Sequence, residues 1–340
     1  MMKKTFRTLL FAAASLCCLT ASAEKYKVII PFGEDEEGAM AYMVNFDSGD
    51  KIDSVIVADK AAVFTGEIDE PVVARVLVDG QRVGTFILES GTIGYNHQHG
   101  AFGSMLNDRL KAISDSVGAI AGKFRGAATD AEREAIYAGY QKYIDSQIAE
   151  NLDSPIAYYL FIQDAGSLEP AEFDAALRKY PALASYQRVG KIRESHARRQ
   201  ATSPGNMFAD FEVEYQGKTY RLSDYVAKGR YVLVDYWASW CGPCLRQLPV
   251  LKELYSEYKD KGLDVLGVAV WDQPADTEAA IASHELPWPC IINAGNVPTD
   301  LYGINGIPCI ILYGPDGKIL VRDKQGDELK AAVREFMDKK

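Results

Sequence analysis

Cys241 and Cys244 stand three residues apart in the run Trp240-Cys241-Gly242-Pro243-Cys244. In a helix that spacing puts one thiol a turn beyond the other, close enough to close a disulfide. A thiolate is the reactive form of cysteine, and a helix N-terminus favours it through free N–H groups and the dipole. A thiol moved from a pKa of about 8.5 to about 7 goes from a few per cent ionised to roughly half at pH 7. Cys241 is therefore expected to be the exposed, acidic, attacking sulfur. Cys244, more buried, is expected to resolve the mixed disulfide. A zinc site would need two more ligands, and Cys290 and Cys309 are far apart, with no second C-x-x-C and no paired His beside them. No metal and no cofactor are expected.

The flanking elements must hold the pair. Tyr231 to Tyr236 is a continuous β-branched and aromatic run, read as a fully buried strand. Leu245, Leu248, Leu251 and Leu254 recur at helical spacing. The cysteines thus fall where strand becomes helix. Pro243 is tolerated in a first turn, whose N–H groups lack partners, whereas Pro249 is expected to kink the helix. Asp235 lies inside the buried strand, where a carboxylate is costly unless it has a role. Trp240 offers a flat apolar surface to a substrate segment, and Trp237 a shield beneath the disulfide.

The WASWCGPC run, with VLVDYW before it and Gly306-Ile307-Pro308 after it, resembles the thioredoxin superfamily over residues 204–340. The extracytoplasmic TlpA/ResA-like thiol–disulfide oxidoreductases match best. The resemblance implies a cis Pro308 facing the disulfide, which presents the Ile307 backbone to an extended substrate. With Trp240, Gly242 and Pro243 this makes a substrate-binding surface around catalytic Cys241 and Cys244. It also implies that Asp235 relays the proton of Cys244, as the buried acid of thioredoxin does. Many TlpA-like members carry Asn there and a Glu three residues after the second cysteine; here that position is Gln247. The Gly-Pro dipeptide matches thioredoxin, whose potential is near about −270 mV, and so implies a reductive direction. Disulfide-containing protein clients and a membrane thiol relay as electron donor follow. The rival readings are a thiol peroxidase, whose Thr-x-x-Cys pattern is not met, and a partner-binding or adhesion protein using the fold as scaffold. Cys290 and Cys309 form either a second redox pair or two small hydrophobes.

Lys3, Lys4 and Arg7, the apolar stretch Leu9–Leu19 and Ala21-Ser22-Ala23 make residues 1–23 a secretory signal peptide. The mature chain is therefore expected in the periplasm or otherwise outside the cytoplasm; Cys17 and Cys18 raise a membrane-anchored lipoprotein as the alternative. Cleavage takes three of the 37 Lys and Arg and none of the 47 Asp and Glu, moving the net charge from −10 to −13. That balance argues against nucleic acid as a partner. The oligomeric state is not legible.

The expected architecture is multidomain: an N-terminal antiparallel β domain at 24–100, a helical segment at 101–200, and a C-terminal α/β thioredoxin fold at 204–340. Six short β-rich runs between Lys25 and Leu88, separated by Gly and Asp turn signals, suggest a small sandwich. They resemble a domain of unknown function found ahead of thioredoxin domains in Bacteroidetes-type secreted proteins. His97-Gln98-His99 lacks further ligands and reads as a solvated loop. Lys191, Arg193, Arg198 and Arg199 read as a solvated basic face.

Overall fold

The computed structural model describes residues 24–339, so the expected leader lies outside the described residues. The chain divides between Phe161 and Ile162 into two compact units.

The first unit carries strands β1 (Glu24–Pro31), β2 (Met40–Asn45), β3 (Lys51–Ile56), β4 (Ala61–Ile68), β5 (Val72–Val78), β6 (Gln81–Leu88), β7 (Gly91–Asn96) and β8 (Gly100–Phe102). They form two four-stranded sheets, ordered β4-β1-β7-β8 and β3-β2-β5-β6. Alternate residues such as Val28, Ile30, Met43, Phe64, Val76 and Phe86 fill one core, as period-two patterning requires. The pairing is antiparallel except between β1 and β7, which run parallel. β7 and β8 escape a reading by β propensity because β7 carries two glycines. A Cβ on Gly94 would strike the Phe102 ring of the paired strand β8, and one on Gly84 of β6 would strike the Tyr95 ring from the other sheet, so both glycines seat aromatic rings. His97 shares a hydrogen bond of 2.7 Å with the Pro31 carbonyl and packs edge-on to Tyr95. No cluster of three potential metal ligands occurs among the described residues. Helices α1 (Met105–Gly126) and α2 (Asp130–Glu150) follow. The first is capped by buried Glu89, which accepts from the N–H groups of Leu106 and Asn107. Helix α3 (Pro155–Ala165) runs across the division.

After the end of α3 the second unit carries α4 (Pro170–Lys179) and α5 (Gln187–Ala201). The hairpin β9 (Glu212–Tyr215) and β10 (Lys218–Arg221) leads into β11 (Tyr231–Trp237), α6 (Gly242–Tyr258), β12 (Leu263–Val270) and α7 (Pro274–Ser283). Then come β13 (Cys290–Gly295), α8 (Val297–Tyr302), β14 (Cys309–Tyr313), β15 (Ile319–Arg322) and α9 (Gly326–Met337). The five-stranded sheet has the order β13-β12-β11-β14-β15; its first three strands are parallel, and β14 alone runs against the other four. On one face Leu233 packs with Leu251 and Leu254 of α6 and Leu329 and Val333 of α9. On the other, Val232, Val234 and Tyr236 pack with Phe211 and Tyr302. Burial on both faces is why β11 reads as an unbroken apolar run. Pro249 lies inside α6 without ending it.

β13 and α8 are absent from the sequence expectations. β13 is a short edge strand with a register shift, and Asn293 within it has a left-handed φ of 65°. In the basic cluster Lys191, Arg193 and Arg198 are exposed and Arg199 is half-buried. Arg198 donates to the Asp300 carbonyl at 3.3 Å and Arg199 pairs with Asp323 at 2.8 Å, so half of that face is tied into the sheet unit.

Candidate active site

β11 ends at Trp237 and α6 begins at Gly242, leaving Cys241 as the N-cap of the helix. The backbone N–H of Cys244 donates to Cys241 Sγ at 3.2 Å, one of the free first-turn donors meeting a sulfur. The two sulfurs are joined in a disulfide with Cα atoms 5.2 Å apart. Trp237, Ala238, Cys241 and Cys244 form one buried cluster, with Ile307 against it. The Ile307–Pro308 peptide is cis, and the Ile307 carbonyl oxygen lies 3.7 Å from Cys241 Sγ.

An exposed attacking sulfur is not what is found. Cys241 is only 3% accessible, nearly as buried as Cys244. The Ile307 carbonyl on one side and the packed cluster on the other account for this. Exposure passes to the neighbouring Trp240, 62% accessible, whose indole is pinned by Nε1 donating to the Trp271 carbonyl at 2.9 Å.

Asp272 was not singled out by the sequence reading. Its carboxylate accepts from the Ser239 N–H, the Ser239 hydroxyl and the Thr277 hydroxyl. It thereby ties the turn before Cys241 to the start of α7. An Asp two residues before Pro274, where α7 begins, is the only sequence signal for it.

Asp235 sits beneath this cluster, two residues before Trp237 on the same face of β11. It is 1% accessible, and its Oδ1 has no hydrogen-bond partner among the described residues. Burial pushes its carboxyl up to about 7. Trp237 Nε1 is likewise buried and without a partner. Both face Gly267: Asp235 pairs with Gly267, and Gly267 pairs with Cys290, in one row across three strands. Gln247, three residues after Cys244, is occupied elsewhere. Its Oε1 accepts from the Gly326 N–H at 2.9 Å and so anchors α9.

Cys290 and Cys309 do not meet. Cys309 pairs with Tyr236 and faces the opposite side of the sheet from Asp235 and Cys290. Three strand spacings, roughly 14 Å, separate their strands. Burial pushes the Cys290 thiol up to about 12 and the Cys309 thiol well above its ordinary value.

Residues 204–322 match the AhpC/TSA family, and residues 26–110 match a domain of unknown function, DUF4369. The thiol–disulfide oxidoreductase ResA of Geobacillus thermodenitrificans is 31% identical over 120 residues, covering 35% of this chain and 68% of that protein. This chain belongs to the ResA-like thiol–disulfide oxidoreductases. A ResA from Bacillus thuringiensis is 28% identical over 37% of this chain and 72% of its own length. A solved thiol–disulfide oxidoreductase from Bacteroides fragilis is 32% identical, covering 38% of this chain and 99% of that one, with a TM-score of 0.35. As a ResA-like enzyme of thioredoxin fold, the chain exchanges electrons between dithiols and disulfides, and its redox partners are of that chemical kind.

Proposed function

We propose that the protein reduces disulfides of client proteins outside the cytoplasm, with Cys241 as nucleophile and Cys244 as resolving thiol. The observation that carries this is the N–H of Cys244 aimed at Cys241 Sγ from the first turn of α6. In the reduced enzyme that donor stabilises a thiolate on Cys241. The Cys241 thiolate attacks one sulfur of the client disulfide, and the other client sulfur leaves as a thiolate. Cys244 then passes its proton to Asp235 and attacks Cys241 Sγ, releasing the second client thiol and closing the Cys241–Cys244 disulfide. Two electrons from a donor dithiol, a membrane thiol relay in this reading, reopen it. Trp240, Gly242, Pro243 and the backbone of Ile307 form the surface that the client meets.

The leader-like residues 1–23 support an extracytoplasmic site of action. Among the described residues no helix is long and apolar enough to cross a membrane. The test is reduction of insulin by the purified mature chain with a dithiol donor. Reduction that disappears with Cys241→Ser supports the reading, and an inactive wild type contradicts it. Clients are identified by trapping on Cys244→Ser.

A further inference from the structure

Helix α5 precedes the region matched to the AhpC/TSA family, yet it is joined at several points to the segment that ends in Ile307 and Pro308. Gly303 closes α8 with a left-handed φ of 59°. A Cβ there would lie 2.3 Å from the Ser195 carbonyl oxygen and 2.7 Å from the Arg199 nitrogen. The α5 backbone therefore approaches α8 as closely as glycine alone allows. Two residues on, the Ser195 hydroxyl donates to Asn305 Oδ1 at 2.9 Å. The Thr202 hydroxyl reaches the Tyr302 carbonyl at 3.2 Å, and buried Arg322 donates to the carbonyls of both Thr202 and Tyr302. At the far end, Arg199 pairs with Asp323, whose Oδ1 accepts from Cys309 Sγ at 3.1 Å.

Both ends of the stretch from Gly303 to Cys309 are thus held by α5 or by groups bonded to it. Between them, Asn305 and Gly306 are exposed, and a polar cavity of about 130 Å³, lined by His196, Arg199, Asn305 and Gly306, adjoins them. Close packing does not back this part of the loop, which leaves the Ser195–Asn305 bond as a discrete tether. Two residues beyond Asn305 is the carbonyl that lies against Cys241.

We propose that Ser195 is a positioning residue for client engagement: through Asn305 it sets the place of the Ile307 backbone, and Gly303 admits α5 to do so. This rests on the reading that a client segment meets Ile307. The reactivity of Cys241 itself comes from α6 and does not depend on α5.

The test uses the mature chain and its Ser195→Ala, Ser195→Thr and Gly303→Ala variants. Each is assayed for insulin reduction and for single-turnover reaction of the reduced protein with 5,5′-dithiobis(2-nitrobenzoate), a small disulfide with no backbone to pair. One lost hydrogen bond corresponds to roughly a 2- to 10-fold change. Ser195→Ala is expected to raise KM for insulin by about that factor, with kcat and the small-disulfide rate unchanged. Ser195→Thr keeps the hydroxyl and should restore the wild-type KM, while Gly303→Ala should raise it further. An unchanged KM in Ser195→Ala, equal losses on both substrates, or failure of Ser195→Thr to rescue would each overturn the proposal. Ser195→Ala keeps it decidable if Gly303→Ala does not fold. A wild type that fails to reduce insulin overturns the client reading itself, a result distinct from these.

Discussion

Asp235 and Gly267 stand opposite each other on β11 and β12, and the buried Oδ1 of Asp235 has no hydrogen-bond partner among the described residues. Burial holds the proton on this acid. Ionising it therefore costs stability, and losing the proton near neutral pH suits it to accept one from Cys244.

The stability consequence has a definite sign. The folded carboxyl titrates near about 7, against about 3.9 in the unfolded chain. Above the unfolded value the folded state binds the extra proton, so stability falls as pH rises from about 4 and levels off above about 7. Asp235→Asn should remove that slope. Relative to wild type it gains up to about 4 kcal/mol at pH 8, and the charge-dependent difference vanishes below about pH 4. Urea unfolding of both proteins at pH 4, 6 and 8 measures this, and parallel curves would exclude the charged carboxylate as the cause.

The same substitution should slow resolution of the mixed disulfide and spare the first attack. General-base help is worth about 10²-fold at the low end of its usual range. Single-turnover kinetics with a chromogenic disulfide should show a second step that accelerates through pH 7 in the wild type and loses that inflection in Asp235→Asn. An identical second step from about pH 6 to 9 would leave water or Cys241 as the proton acceptor.

Cys290→Ala and Cys309→Ala should each leave insulin turnover within twofold of wild type. Both thiols are held neutral by burial, and they face opposite sides of the sheet. Loss of activity in either variant, with the fold intact by circular dichroism, would bring that thiol into the redox cycle.

Gly267→Ala places a Cβ 2.7 Å from Cys290 Sγ and 3.1 Å from Trp237 Nε1. Overpacking of this kind costs about 1–3 kcal/mol. Combining it with Cys290→Ala should recover most of the loss, because the closest clash disappears. Additive melting shifts in the double variant would mean that the strain lies elsewhere.

The sequence by itself determined the β11–α6 junction and its chemistry. A strand buried on both faces must be apolar throughout, and the leucines of α6 repeat at helical period, so Cys241 could only fall at the helix start. Asp235 was legible for the same reason, as the one charge in an apolar run. Six strands of the first unit could be read from alternation, whereas the glycines of β7 concealed it. Tertiary structure alone decided the rest. The cover over Cys241 comes from Ile307, 66 residues away in sequence. The environment that lifts Asp235 depends on β12 and β13 alongside β11, and the separation of Cys290 from Cys309 on the strand order. The tether from α5 to the Gly303–Cys309 stretch, Ser195 to Asn305, joins residues 110 positions apart. Local periodicity records which face of an element is buried, but not which distant backbone will cover it.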